Sequence, residues 1–410
     1  VSDSKKIFIL NNLCGQLMAL GKALEEMGHQ VAVLETDANG CRDLVTAKNA
    51  ITAFEPDIIL QQNFNVYMLS GEFGEALLDW IEAEQIKQLF WFVGRPDCMS
   101  KVYLFEQWVE KGYFKKAEFF CTAKAMMPFF EQYGLKADHL PAAIKPSSVN
   151  VQTRKNAKFV TSYFSNTVVW PKTTPMGTIT AALSNTDTCM RYFLSLVCAS
   201  LPNHNPQSIV NWILDPVRQF FNSLDIDFIT HQLKRDRLDS ALQHVPAQVR
   251  YAVLHQVEYL YSDFISYTIY QNIKSAVQYT SGSNFWDALQ ESADKVGSAE
   301  VCQLDVASFN SGAVISFSPF LTMSAPSSAP LSIVASGNVA ICEFREELTE
   351  LLPAEYVTTY KTIEELSHHI DSLDKNLSNH SDRIVAAQDY VLTHHTHLHR
   401  AQTVTDWLNK

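Results

Sequence analysis

The first 145 residues alternate short, continuously apolar runs with amphipathic stretches. Lys5–Leu10 (KKIFIL) is charged in front and apolar within, the pattern of a strand buried on both faces. Gln16–Met27 carries apolar side chains at helical spacing and stops at Gly28, and His29–Leu34 (HQVAVL) follows as a second strand. The same order repeats with a helix over Ala47–Phe54, a strand over Ile58–Gln62, a helix over Glu75–Glu84 and a strand over Gln88–Val93. A helical piece at Glu106–Gly112, a strand at Glu118–Cys121 and a helix at Lys124–Tyr133 come next, and His139-Leu140-Pro141 ends the unit. This alternation predicts a doubly wound parallel sheet.

Lys145–Lys155 (KPSSVNVQTRK) is polar and turn-rich, as an interdomain linker would be, and Lys158–Tyr163 opens a second sheet. From about residue 175 to 275 the period changes. Ile209, Ile213, Val217, Phe220 and Phe221 form a helical stripe, Leu233, Leu238 and Leu242 another, and Tyr251–Ile273 a longer one. An α-helical region, inserted into the second domain or layered on it, is expected, with its tyrosines serving as core. Alternation resumes at Ser275–Tyr279, with a helix from Phe285 and strands at Glu300–Leu304 and Ala313–Phe317. The stretch Ala313–Phe344 then reads strand, loop of Ser, Pro and Ala, apolar helix closed by Ala335-Ser336-Gly337, strand. In an α/β sheet that order presents a ligand site at the carboxyl ends of the strands. Small loop side chains admit a ligand to backbone N–H groups, and a helix start offers them to an anion. A strand at Tyr356–Tyr360 and helices at Ile363–Leu373 and Ser381–Asn409 finish the chain.

Composition narrows the class. A chain of 410 residues exceeds one ordinary domain, and 47% hydrophobic with 19% charged residues describes a soluble globular protein. A formal charge of −12 argues against nucleic acid as the main partner. No apolar run reaches the roughly 18 to 20 residues of a membrane span, and a strand near the start leaves no signal peptide visible. Eight scattered cysteines without a Cys-x-x-Cys pair read as reduced thiols of a cytoplasmic protein. The turn at Asn11, Asn12 and Gly15 lacks the full G-x-G-x-x-G pattern, so a tight strand-to-helix turn is the plainer reading. His395 and His399 have a spacing that would permit metal ligation, but their place in the terminal helix favours a structural role.

From Val277 onward the order of pieces resembles the CgeB-type bacterial glycosyltransferases, a branch of the GT-B enzymes with two Rossmann-like domains. Tyr279, Gly282 and Trp286 echo that family's Tyr-Gly-x-x-Trp turn, and Ile315-Ser316-Phe317-Ser318-Pro319 its next strand. Ala335-Ser336-Gly337 ends the helix, Phe344–Leu348 supplies an acidic turn, and His395-Thr396-His397-Leu398-His399-Arg400 matches a closing His-Thr-Tyr-x-His-Arg signature. In the first half, Glu55–Ile59, Trp91-Phe92-Val93 and His139–Ala143 fall in the family's order.

The resemblance implies a GT-B-like α/β fold. Its parts would be a Rossmann-like acceptor-side domain (1–145), a linker and first strand (146–174), a helical insertion (175–274), a Rossmann-like donor-side domain (275–388) and a C-terminal helix returning to the first domain (389–410). It implies sugar transfer from a nucleotide-sugar, which is a substrate; no further cofactor and no metal are expected. The donor side would include Gly282, Ser283, Ser324, Ser332, Gly337 and Asn338. The acceptor side would include Asn11, Asn12, Gly15, Asn63 and Arg95, with Asp97 as candidate general base. Ser332 stands where family members usually carry a ribose-binding acid, and Ala329-Pro330-Leu331 where they carry an arginine. A catalytically degenerate GT-B-like binding protein is therefore the alternative, and a nucleotide-sugar epimerase a third. The acceptor, whether glycan, protein or small molecule, and a homo-oligomeric state stay open.

Overall fold

The computed structural model describes residues 4–11, 15–36, 43–67, 73–94, 96, 102–144, 160–164, 185–223, 231–257, 277–280, 313–317, 328–376 and 381–409. The expected strand at Glu300–Leu304, the helix from Phe285 and most of the linker lie outside these residues.

The first sheet has six parallel strands in the order β2-β1-β3-β4-β5-β6. They are β1 (Lys6–Asn11), β2 (Gln30–Glu35), β3 (Ile58–Gln62), β4 (Gln88–Phe92), β5 (Ala117–Cys121) and β6 (Ala137–His139). Helices α1 (Gly15–Glu26), α2 (Leu44–Phe54), α3 (Phe73–Ala83), α4 (Val102–Glu110) and α5 (Met127–Glu131) connect them. The sixth strand, which the sequence showed only as an ending at His139, follows a reversal at Gly134 with φ of 72°. Central β4 is buried at every position because helices cover both faces of a parallel sheet. One face, with Phe8, Phe90, Phe92 and Phe119, packs on α2 to α5. There Phe64 meets Phe90 and Phe92 edge-on at 5.0 and 4.9 Å. The other face, with Ile7, Ile9, Leu60 and Trp91, takes α1 and, from the far end of the chain, Ala401 and Val404.

The second sheet has five parallel strands in the order β11-β10-β9-β7-β8. These are β7 (Val160–Phe164), β8 (Val277–Thr280), β9 (Ala313–Phe317), β10 (Val339–Glu343) and β11 (Val357–Tyr360). Two parallel, helix-covered sheets are the α/β architecture that the alternating pattern predicts. Between β7 and β8 stand α6 (Thr186–Ser200), α7 (Pro206–Asn222), α8 (His231–Ala241) and helical residues 247–257. All five apolar positions of the α7 stripe are buried. Tyr251 and Tyr133 both donate to Glu106 Oε1, at 2.7 and 2.9 Å, tying this helical region to the first domain.

Helices α9 (Ala329–Ala335), α10 (Leu348–Leu351) and α11 (Ile363–Asn376) complete the second unit. The single long helix expected over Ser381–Asn409 is two, α12 (Ser381–His394) and α13 (His397–Leu408). The chain extends at Thr396, which caps α13 through a reciprocal capping box with His399 and bridges Ile144. The break lets α12 stay on α9 while α13 lies along α1. Among the described residues no helix is long and apolar enough to cross a membrane.

Candidate functional site

In a parallel sheet the loops leaving the carboxyl ends of the strands share one edge. Two contacts join these edges. Glu347, just after β10, accepts the backbone N–H of Lys124, just after β5, at 2.9 Å. Gln16, in the first turn of α1 after β1, donates to the Ser328 hydroxyl at 3.3 Å, immediately before α9. The carboxyl ends of the two sheets therefore face each other across a cleft.

On the first wall, Asn11 is buried at the end of β1. Its Nδ2 donates to both carboxylate oxygens of Glu35 at 2.9 Å, and its carbonyl accepts from Thr36 N–H and O–H. Asn63 adopts a left-handed backbone with φ of 51°, and its Oδ1 accepts the Val93 N–H at 3.0 Å. That bond ties the end of β3 to the end of β4. Gly15 begins α1. Asn11, Gly15 and Asn63 thus lie on one edge, whereas Asn12, Arg95 and Asp97 fall outside the described residues.

The second wall is built around α9. Ser332 is half-buried, and its hydroxyl donates to the Ser328 carbonyl one turn back at 3.1 Å. Ser332 is the middle residue of α9, and Gly337 and Asn338 lie just past its carboxyl end, about 8–9 Å further on by helical rise. Gly337, with φ of 77°, reverses the chain so that Gly337 and Asn338 N–H groups cap the carbonyls of Val334 and Ile333. Both residues therefore stand at the turn between α9 and the amino end of β10, one to two helical turns beyond Ser332. Gly282, Ser283 and Ser324 lie outside the described residues.

Several cleft-edge side chains were not anticipated. Glu343 closes β10, fully buried, with Arg345 Nη2 at 2.8 Å. Burial pushes its carboxyl up to about 7, against the pull of Arg345. Glu347 is also buried, with His139 Nε2 at 3.5 Å beside it. The carboxylates of Glu35, Glu343 and Glu347 each face a protein donor.

The chain leaves the first domain near Ile144 and returns near Thr396. The Ile144 N–H donates to His395 O at 2.9 Å, and the His397 N–H donates to Ile144 O at 3.0 Å. Buried Arg400 clasps the crossing by donating to the carbonyls of Pro141 (2.7 Å), Ala142 (2.8 Å) and His394 (3.3 Å) and to His395 Nδ1 (3.0 Å). Desolvation lowers the Arg400 guanidinium to about 10. The His395 imidazole is pushed down to about 4 by burial first and by Arg400 second. The histidine cluster therefore braces the crossing: His399 completes a helix cap, and His395 takes a guanidinium N–H. A separate groove of about 530 Å³ runs along α1 between Val31, Val33 and Leu398, beside that helix and not between the strand ends.

Residues 268–406 match the "Glycosyl transferase-like" family, a match that takes in β8 to β11 and most of α13. No curated protein matches the chain. Among solved structures, a sucrose-phosphate synthase from Thermosynechococcus elongatus is similar with a TM-score of 0.54 at 9% identity, covering 98% of each chain. Anabaena HepE in complex with UDP and glucose is similar with a TM-score of 0.53 at 12% identity, over 98% of this chain and 99% of that one. The same protein in complex with UDP-glucose gives 0.53 at 12% identity, with the same coverage. These likenesses are of fold, the GT-B arrangement of two parallel α/β sheets.

Proposed function

We propose that the protein is a glycosyltransferase of the CgeB type, moving a sugar from a nucleotide-sugar to an acceptor held by the first domain, in the cytoplasm. The observation that carries this reading is the family match over residues 268–406, which falls on a sheet whose carboxyl ends face a second such sheet. The UDP and UDP-glucose held by Anabaena HepE make UDP-sugars the first donors to try.

In this reading the acceptor hydroxyl oxygen bonds to the anomeric carbon, and the bond from that carbon to the diphosphate breaks. The hydroxyl proton goes to a carboxylate, for which Asp97, a few positions beyond β4 in the sequence, is the candidate. The nucleoside diphosphate leaves, held by backbone N–H and hydroxyl groups from Gly282, Ser283 and Ser324, with Ser332 behind them in α9, its own N–H and hydroxyl bonded to Ser328 O. Asn11, Asn12, Gly15, Asn63 and Arg95 line the acceptor side. Asn11 and Asn63 act there by fixing the strand ends, since their amides already bond Glu35 and Val93. Approach of the two domains excludes water, which otherwise hydrolyses the donor. The units 1–145, 175–274 and 275–388 serve as acceptor domain, helical layer and donor domain.

One observation favours a second reading, a degenerate binding protein. Ser332 replaces the family's ribose-binding acid, and its hydroxyl is bonded within its own helix. Transfer and hydrolysis assays over a panel of nucleotide-sugars separate the two. Turnover of any donor supports the transferase, binding without turnover supports the binding protein, and neither binding nor turnover contradicts both.

A further inference from the structure

The starts of three helices meet at one side chain. Gln16, in the first turn of α1, accepts from His397 Nε2 at 2.9 Å and donates to the Ser328 hydroxyl at 3.3 Å. His397 is the first residue of α13, and Ser328 immediately precedes α9. One half-buried amide thus spans 381 positions of sequence in one direction and 312 in the other. His397 cannot drift from this contact. It is 2% exposed, Trp91 stands edge-on to its ring at 6.5 Å, and its backbone N–H is bonded to Ile144 O at the crossing. The closing signature has tyrosine where this chain has His397, so the ring N–H that Gln16 receives belongs to this chain's own version of it.

On the far side, Ser328 moves with α9, because its carbonyl accepts both the N–H (3.0 Å) and the hydroxyl (3.1 Å) of Ser332. The crossing, the first domain and the start of α9 therefore form one hydrogen-bonded line: Ile144, His397, Gln16, Ser328, Ser332. We propose that Gln16 is a positioning residue that sets the second wall of the cleft against the first. This rests on the reading of that cleft as a nucleotide-sugar site. Gln16 acts through Ser328 and does not itself touch the reacting atoms. Its importance follows from geometry, since misplacing reacting groups by about 1 Å can cost on the order of 100-fold in rate.

The test uses the full chain and two substitutions. Gln16→Leu keeps the shape and removes both hydrogen bonds. Gln16→Glu keeps an acceptor for His397 and can accept the Ser328 hydroxyl. Hydrogen exchange is followed by mass spectrometry in peptides covering residues 328–336, and UDP affinity by calorimetry. Gln16→Leu is expected to speed exchange in this segment about fivefold or more, the scale of one lost net hydrogen bond. It should also weaken UDP about fivefold and leave the Tm within about 2 °C. Gln16→Glu is expected to restore protection of 328–336. Wild-type exchange there in Gln16→Leu overturns the proposal, as does a loss confined to global stability. If the wild-type chain binds no UDP, the nucleotide-sugar reading falls separately, and the exchange measurement still decides the bridge.

Discussion

The Glu347 carboxylate, carried on the loop after β10 of the second sheet, accepts the backbone N–H of Lys124, which follows β5 of the first sheet, at 2.9 Å across 223 positions of sequence. The acceptor is buried, and the donor opens the turn that leads into α5, where an anion meets N–H groups without intrahelical partners. Truncation to Glu347→Ala leaves that N–H without its partner and is expected to lower stability by about 1–3 kcal/mol in urea unfolding. Glu347→Gln keeps a carbonyl oxygen and should lose less. The neighbouring Lys124–Glu350 pair is half exposed on both sides, so Glu350→Ala should leave the unfolding midpoint unchanged.

Arg400 tests the crossing. Its guanidinium serves three carbonyls and His395 at once. Arg400→Met, close in length and without donors, strips these bonds from the half-buried Pro141 and the buried Ala142 carbonyls and should cost about 3 kcal/mol, read by chemical denaturation. Arg400→Lys is not expected to rescue, because an ammonium lacks the planar fork that reaches both strands of the crossing.

Acid titration separates two buried groups of opposite sign. The folded chain holds His395 at about 4 against 6.5 unfolded, so its contribution is full above pH 6.5 and is lost as pH falls towards 4. Glu343 stands at about 7 against 4.5 unfolded, so its contribution is full below pH 4.5 and is lost as pH rises through 7. Between pH 4.5 and 6.5 the two slopes oppose. His29 and His399, both lowered mainly by burial, add to the sign of His395. In stability measured across this range, His395→Gln should lose less on acidification than the wild type, and Glu343→Gln should lose more.

Gly337 distinguishes a fold role from a ligand role. With φ of 77° it sits in the left-handed region that closes α9. Gly337→Ala should cost about 1–2 kcal/mol of stability while leaving nucleotide affinity at the wild-type value. An alanine variant of normal stability and impaired nucleotide binding would return this residue to the donor site.

The strands were legible in the sequence because buried parallel strands are continuous apolar runs. Ile58–Gln62 and Ala313–Phe317 were read with the bounds the structure has, and the α7 stripe from Ile209 to Phe221 is buried as its period requires. Two local features were missed. Ala137–His139 is three residues long, too short for a period to show. The break between α12 and α13 was hidden by helical periodicity on both sides, although Thr396 with His399 three residues on is a capping box with histidine in the place of Glu or Gln. The roles of Gly337 and Asn338 were hard to read for a different reason. A helix stop is visible in sequence, but which end of the sheet it occupies depends on chain direction through α9. Gln16, Glu347 and Arg400 had no local signal of their roles. Each acts on a partner more than 200 positions away, and only the signature around His395 drew attention to Arg400.

Calorimetric titration of the full chain with UDP, GDP, ADP and TDP tests most directly whether the edge where the two sheets meet holds a nucleotide-sugar. Saturable binding of one of these diphosphates at one site per chain, weakened by Gln16→Leu, is expected. Absence of saturable binding by all four, and by UDP-glucose, would contradict it.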